Sequence, residues 1–169
     1  MNIRLATDND TTEMCALVEE AFGEEGPQIS GLVAEMAPTE DCLIWVAENS
    51  GIKGLVGASK ASIESVVENF WVLAPLGVSE DSQGQGIGGA LVNRCLQELQ
   101  QSGASGVFVY GDPSYYGRFG FSTDNAISVK APFDLEYPEG WQALLWKPIQ
   151  GEAQSSLKVT GPLDKPDLW

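Results

Sequence analysis

Apolar residues recur along this chain first at helical and then at strand spacing. Ile3–Ala6 reads as a short opening strand, and the polar Thr7–Asp10 supplies N-cap residues for a helix directly after it. Met14, Leu17, Val18 and Ala21 fall at i, i+3, i+4 and i+7, and after Gly23–Pro27 the set Ile29, Leu32, Val33 and Met36 repeats that spacing. The pattern predicts two amphipathic helices joined by an acidic loop. Cys42–Glu48, a turn at Asn49–Gly51 and a second run from Leu55 to Ser59 read as a hairpin. Phe70–Val78 is the next strand, interrupted by Pro75 and Gly77, residues that mark a bulge or the close approach of another backbone. Beyond the polar Ser79–Gln83, the glycine-rich Gly84–Gly89 opens a helix through Leu91, Cys95, Leu96 and Leu99 that ends at Ser102–Gly103. Val107–Tyr110 is a short buried strand, Asp112–Tyr116 one or two helical turns, and Ala143–Lys147 a late strand, with Ile127–Val129 a candidate for another. Without internal repeats, this organisation predicts one α/β domain over residues 1–150 and a polar tail, 151–169, packed on it.

Composition narrows the chemistry. A length of 169 residues, with 43% hydrophobic and 20% charged residues, suits one folded globular domain. No apolar run approaches the roughly 18 residues of a membrane span, and Met1–Asp10 lacks the basic-then-apolar layout of a signal peptide, so a cytoplasmic location is expected. Cys15, Cys42 and Cys95 are widely spaced and odd in number, as reduced buried thiols are. With no histidine, Ser-His-Asp and Cys-His nucleophilic sites and His-ligated metals are excluded, and no metal site is expected. The formal charge of −15 repels phosphate backbones, which argues against nucleic acid as a partner. It attracts cationic substrates, although solubility alone also accounts for it.

The informative segment is Leu76-Gly77-Val78-Ser79-Glu80-Asp81-Ser82-Gln83-Gly84-Gln85-Gly86-Ile87-Gly88-Gly89. At a helix start the first backbone N–H groups lack intrahelical partners, and glycines let an anion approach them without a Cβ in the way. Gly84, Gly86 and Gly89 also spell the G-x-G-x-x-G of dinucleotide-binding folds. In those folds the glycines follow the strand directly in an early βαβ unit, whereas here Ser79–Gln83 intervenes and about half the chain lies upstream. A nicotinamide enzyme and a plain flexible glycine loop remain as rival readings.

At this point the chain resembles the GNAT superfamily of acetyltransferases, whose signature Q/R-x-x-G-x-G/A is filled by Gln83, Gly86 and Gly88. Leu76-Gly77-Val78 resembles the family's bulged strand, and Tyr115-Tyr116-Gly117-Arg118-Phe119-Gly120-Phe121 its F-Y-x-x-x-G-F segment. The stretch from Gly111 to Phe121 is especially similar to a bacterial branch of uncharacterised predicted acetyltransferases. The resemblance implies a mixed, mainly antiparallel sheet, splayed between Phe70–Val78 and Val107–Tyr110, with helices on both faces. It implies acetyl-coenzyme A as co-substrate, bound at Leu76, Gly77, Val78, Gln83, Gly84, Gln85, Gly86, Ile87, Gly88 and Gly89. Tyr116 matches the tyrosine that protonates the departing thiolate. The resemblance further implies an amine acceptor, of a small molecule or a peptide, attacking directly in a ternary complex, and a possible homodimer, since dimers are common in the family.

The resemblance leaves the general base open, because no acidic residue occurs from Asn69 to Val78. Glu68, Glu24 and Glu25 read first as solvated surface carboxylates. Tyr115 and Phe119 read as packing aromatics, Arg118 as a surface charge or a phosphate contact, Trp141 and Trp146 as core or pocket walls, and Cys95 as a buried thiol. Two rival functions stand beside amine acetylation: a catalytically silent acetyl-coenzyme A-binding module, and transfer of another acyl group or to an oxygen acceptor.

Overall fold

Glycines set how closely the elements pack. A computed structural model describes residues 1–37, 39–64, 66–150 and 155–169, and the strands are hydrogen-bonded in the order β1-β2-β3-β4-β5-β7, a mostly antiparallel open sheet within a mixed α/β fold. The strands are β1 (Asn2–Leu5), β2 (Cys42–Glu48), β3 (Ile52–Ile63), β4 (Val66–Val78), β5 (Gly106–Tyr110), β6 (Val129–Lys130), β7 (Trp141–Leu145) and β8 (Ser155–Val159). The helices are α1 (Thr11–Ala21), α2 (Gly26–Met36), α3 (Ile87–Gln101) and the short α4 (Pro113–Tyr116) and α5 (Thr123–Ala126). Among the described residues no helix is long and apolar enough to cross a membrane. The chain divides into two compact units, Met1–Ala58 with Ala74–Gln97 and Ser59–Leu73 with Glu98–Trp169. Of the tail expected over 151–169, residues 151–154 lie outside the described residues.

In the first unit β1 pairs antiparallel with β2, Asn2 opposite Glu48 and Leu5 opposite Trp45. Of the predicted helical faces, Met14, Leu17 and Val18 of α1 and Leu32, Val33 and Met36 of α2 are buried, while Ala21 and Ile29 are half-buried. Between them the acidic loop is a 3-10 turn, Gly23–Glu25. A Cβ at Gly26 would collide with the Glu19 backbone, so only glycine lets α2 begin where it crosses α1. The Thr7–Asp10 turn is tied by Asp10, whose carboxylate accepts from the Thr7 N–H at 2.7 Å and the Thr7 hydroxyl at 2.9 Å. Arg4 grips the same carboxylate with two nitrogens at 2.8 and 2.9 Å and donates to Glu48 at 3.0 Å. The bidentate pair joins β1 to the start of α1 and holds the Asp10 carboxyl well below the usual carboxylate range.

The second unit is built on aromatic contacts. Phe70 on β4 meets Phe108 on β5 edge-on at 5.9 Å, Phe108 stacks on Trp141 of β7 at 5.2 Å, and Trp141 meets Trp169 at 5.9 Å. Trp141 is core, and its indole N–H donates to the Val129 carbonyl at 2.8 Å. β5 pairs parallel with Phe70–Val72 of β4 and antiparallel with the whole of β7. The tail contributes β8, which pairs with β3 at Ala61 to Ile63 and with β6.

Asp10 provides a test with a defined sign. A carboxyl whose folded-state pKa is depressed stabilises the fold above its unfolded pKa of about 3.9 and loses that effect as pH falls below it. Thermal unfolding should therefore show wild type more stable than Asp10→Asn at neutral pH, with the difference shrinking as pH drops below about 4. A difference independent of pH would show that Asp10 acts by shape and not by charge.

Candidate functional site

The segment singled out in the sequence folds as strand end, turn and helix start in the first unit. β4 ends at Val78, and Ser79 ties the turn to β3 by donating its N–H to the Lys53 carbonyl at 3.0 Å. Asp81 gathers the turn: its carboxylate accepts from the Ser82 hydroxyl at 2.7 Å and the Ser79 hydroxyl at 2.8 Å and faces Lys53 at 3.4 Å. Those hydroxyls, then Lys53, hold Asp81 below its ordinary range. Gln83 donates its side-chain amide to the Val78 carbonyl at 3.1 Å, and Gln85 donates to the Asp81 carbonyl at 3.2 Å. Both glutamines thus brace the turn, which a motif pattern alone does not reveal.

Gly84 and Gly86 adopt φ of +73° and +82°, and nothing lies within 4 Å of where their Cβ atoms would be. The glycines are required by backbone conformation and leave open space over the turn. Gln83, Gly84, Gln85 and Gly86 are exposed, while Ile87 is buried and anchors the helix. The Ala90 N–H bonds back to the Gly86 carbonyl at 3.0 Å. The N–H groups of Ile87, Gly88 and Gly89 therefore stand ahead of the helical ladder, at the positive end of a 15-residue helix. A loop of this shape binds an anion such as a pyrophosphate without a basic side chain.

In the strand leading in, a Cβ at Gly77 would sit 3.2 Å from Phe22 and 3.5 Å from Leu17 and Val18, so the glycine makes room for the side chains of α1 and its neighbouring turn, and its carbonyl lies 3.1 Å from where a Cβ on Gly54 of β3 would be, so the two backbones also approach closely there. The Ala74–Pro75 peptide is cis. Leu76 and Val78 are half-buried. Glu24 and Glu25, weighed as bases, are exposed on the 3-10 turn. A groove of about 240 Å³ in this unit is lined by Glu13, Glu20, Lys53, Ser79 and Asp81 among others.

Tyr116 belongs to the second unit. Asp112 N-caps α4, accepting from the Ser114 N–H at 2.8 Å, and the Tyr116 N–H donates to the Asp112 carbonyl at 3.0 Å. The Tyr116 ring meets Tyr115 edge-on at 5.1 Å and Phe121 at 5.8 Å. It also lies on Gly111, where a Cβ would fall 2.6 Å from Tyr116 Cε2. Burial pushes its hydroxyl pKa well above that of a free tyrosine, keeping the proton on the oxygen throughout the neutral range. Tyr115 packs on Phe119 at 5.5 Å, and the exposed Arg118 guanidinium covers its ring at 4.5 Å. Cys95 is buried, as expected. Among the described residues, no group of acidic or cysteine side chains could hold a metal ion.

Residues 40–123 match the acetyltransferase (GNAT) domain family. An uncharacterized N-acetyltransferase of Escherichia coli (strain K12), YjhQ, is 35% identical over 150 residues, covering 83% of this chain and 83% of that protein. A crystal structure of a GNAT family acetyltransferase from Brucella melitensis in complex with acetyl-CoA aligns with a TM-score of 0.69 at 29% identity, over 91% of this chain and 93% of that one. The structure of Escherichia coli YhbS in complex with CoA has the same fold, with a TM-score of 0.84 at 23% identity over 94% and 89% of the two chains.

Proposed function

This chain belongs to the GNAT family of N-acetyltransferases, and from that premise we propose that it transfers the acetyl group of acetyl-coenzyme A to a cationic primary amine, by direct attack in a ternary complex. The observation that carries the reading is the first turn of α3, with Gly84 and Gly86 at positive φ and open space above them. A pyrophosphate fits that space, held by the N–H groups of Ile87, Gly88 and Gly89, while Gln83 and Gln85 keep the turn in shape. The acetyl-CoA complex of the Brucella melitensis relative supports the same co-substrate.

Bound acetyl-coenzyme A supplies the thioester carbonyl that the amine nitrogen attacks. Backbone groups at Leu76–Val78 stabilise charge developing on the carbonyl oxygen, as preorganised donors do. The acceptor ammonium first gives one proton to solvent, which frees the nitrogen lone pair that attacks; as the carbon–sulfur bond breaks, the Tyr116 hydroxyl gives its proton to the leaving sulfur, and the second proton lost from the acylated nitrogen returns through solvent to the tyrosine. Reference pKa values of about 10 for a phenol and about 8.5 for a thiol make this transfer uphill by roughly 2 kcal/mol. Burial of Tyr116 steepens it, so the donated hydrogen bond matters most while the thiolate is forming.

The charge of the first unit favours a cationic acceptor. No Lys or Arg lies between Arg4 and Lys53, a stretch with eleven Asp and Glu residues. A field of that sign concentrates cations nearby.

Two measurements test this reading. Gly88→Asp places a carboxylate where the pyrophosphate must sit and should abolish acetyl-coenzyme A binding in calorimetry while the fold survives, and Gly86→Asp should do the same with added strain in the turn, where φ is +82°; unchanged affinity in both variants would rule out the cradle. Tyr116→Phe keeps the ring packing and removes the proton, so single-turnover acetyl transfer should fall roughly 10²-fold or more with little change in cofactor affinity. Tyr115→Phe should stay near wild type, and the reverse pattern would assign the proton to Tyr115.

A further inference from the structure

Gln142 is the second residue of β7, opposite Val109 of β5, and only 1% of it is exposed. A buried carboxamide must find protein partners for donors that water no longer serves. Its Nε2 donates to the Gly111 carbonyl at 3.1 Å and to the Gly140 carbonyl at 3.2 Å. The Gly140 carbonyl also accepts the Gly111 N–H at 3.0 Å. Gly111 is thus held at both its N–H and its C=O, one residue before the cap of α4. Gly140 comes this near because it too lacks a Cβ, which would stand 2.9 Å from the Tyr110 ring and 3.1 Å from the Gly111 oxygen.

The consequence reaches Tyr116, whose ring rests on Gly111 and whose N–H is bonded to Asp112. A shift of the Gly111–Asp112 turn therefore moves the support beneath the ring and the start of the helix that carries it. Gln142 joins this turn to the Gly140 carbonyl at the entrance of β7.

We propose that Gln142 is a positioning residue for Tyr116: by bridging the Gly111 and Gly140 carbonyls it fixes the turn that aims the Tyr116 hydroxyl. It acts through the backbone of Gly111 and Asp112. The proposal rests on the reading of Tyr116 as the proton donor to the leaving sulfur. Misplacing a reacting group by about 1 Å is enough to cost about 10²-fold in rate.

The test is a double-substitution cycle on the full chain. Gln142→Met keeps similar volume and removes both donated bonds; it should lower single-turnover kcat about tenfold or more and leave the dissociation constant for acetyl-coenzyme A within about twofold. Adding Gln142→Met to Tyr116→Phe should bring no further loss, because a ring without a proton to give does not depend on its aim. Gln142→Glu keeps the shape and provides a second variant should the first fail to fold. Its carboxyl donates one bond when protonated and none when ionised, so its kcat relative to wild type should fall as pH rises. Multiplicative losses in the double variant, a pH-independent ratio for Gln142→Glu, or wild-type turnover in both Gln142 variants would overturn the proposal and leave the role of Tyr116 standing. Wild-type turnover in Tyr116→Phe itself would remove the proton-donor reading, and the positioning role with it.

Discussion

The first turn of α3 lies where it does because residue 54 of β3 has no side chain. A Cβ on Gly54 would stand 3.0 Å from Leu91, 3.1 Å from Ile87 and 3.1 Å from the Gly77 carbonyl, and each of those atoms belongs to an element of the cradle. Ile87 and Leu91 are the buried anchors of the helix whose N-terminus presents the N–H groups proposed to hold the pyrophosphate. Gly57, three residues on, has the same relation to the Ala74 carbonyl, Met36 and Pro75. Packing in a dense interior is intolerant of even one added carbon. The position of the exposed, chemically useful turn is therefore set from below by glycines that never meet a ligand.

Much of this was legible in the sequence, and the parts that were not have identifiable causes. The helical spacing of Met14, Leu17 and Val18 and of Leu32, Val33 and Met36 marks the buried faces of α1 and α2, and β2 runs over Cys42–Glu48 as its apolar pattern predicts. β3 is longer than its apolar run from Leu55 to Ser59, extending over Ile52–Ile63. Its polar end is a strand because Ala61 to Ile63 pair with β8, a partner nearly a hundred residues away that local periodicity does not announce. β8 itself buries Leu157 and Val159 in alternation, a signal present in the tail but diluted by its polar composition.

The glycine turn was readable because its requirement is local: positive φ at Gly84 and Gly86 and a helix beginning directly after them. Gln142 was not. It lies just before the strand expected over Ala143–Lys147, whereas β7 starts at Trp141 and Trp141, Gln142 and Ala143 are all buried. What occupies the amide is a pair of carbonyls, at Gly111 and Gly140, brought together by the fold. Gln83 shows the converse: the motif identifies it, and the structure gives it a backbone carbonyl to hold at the end of β4.

Both units thus use one device, a side-chain amide donating to a backbone carbonyl in order to hold a glycine-containing turn beside a functional group. In the first unit the group is a helix N-terminus, and in the second a tyrosine hydroxyl. Together these would serve the proposed acetyl transfer to an amine. The most direct measurement incubates the purified chain with acetyl-coenzyme A and a panel of polyamines, aminoglycosides, amino acids and peptide N-termini, following free coenzyme A and N-acetyl product by mass spectrometry. A cationic member of the panel should give product, at a rate that falls as salt rises. Tight binding of acetyl-coenzyme A without turnover on any amine, or acetylation of alcohols in preference to amines, would contradict the proposed activity.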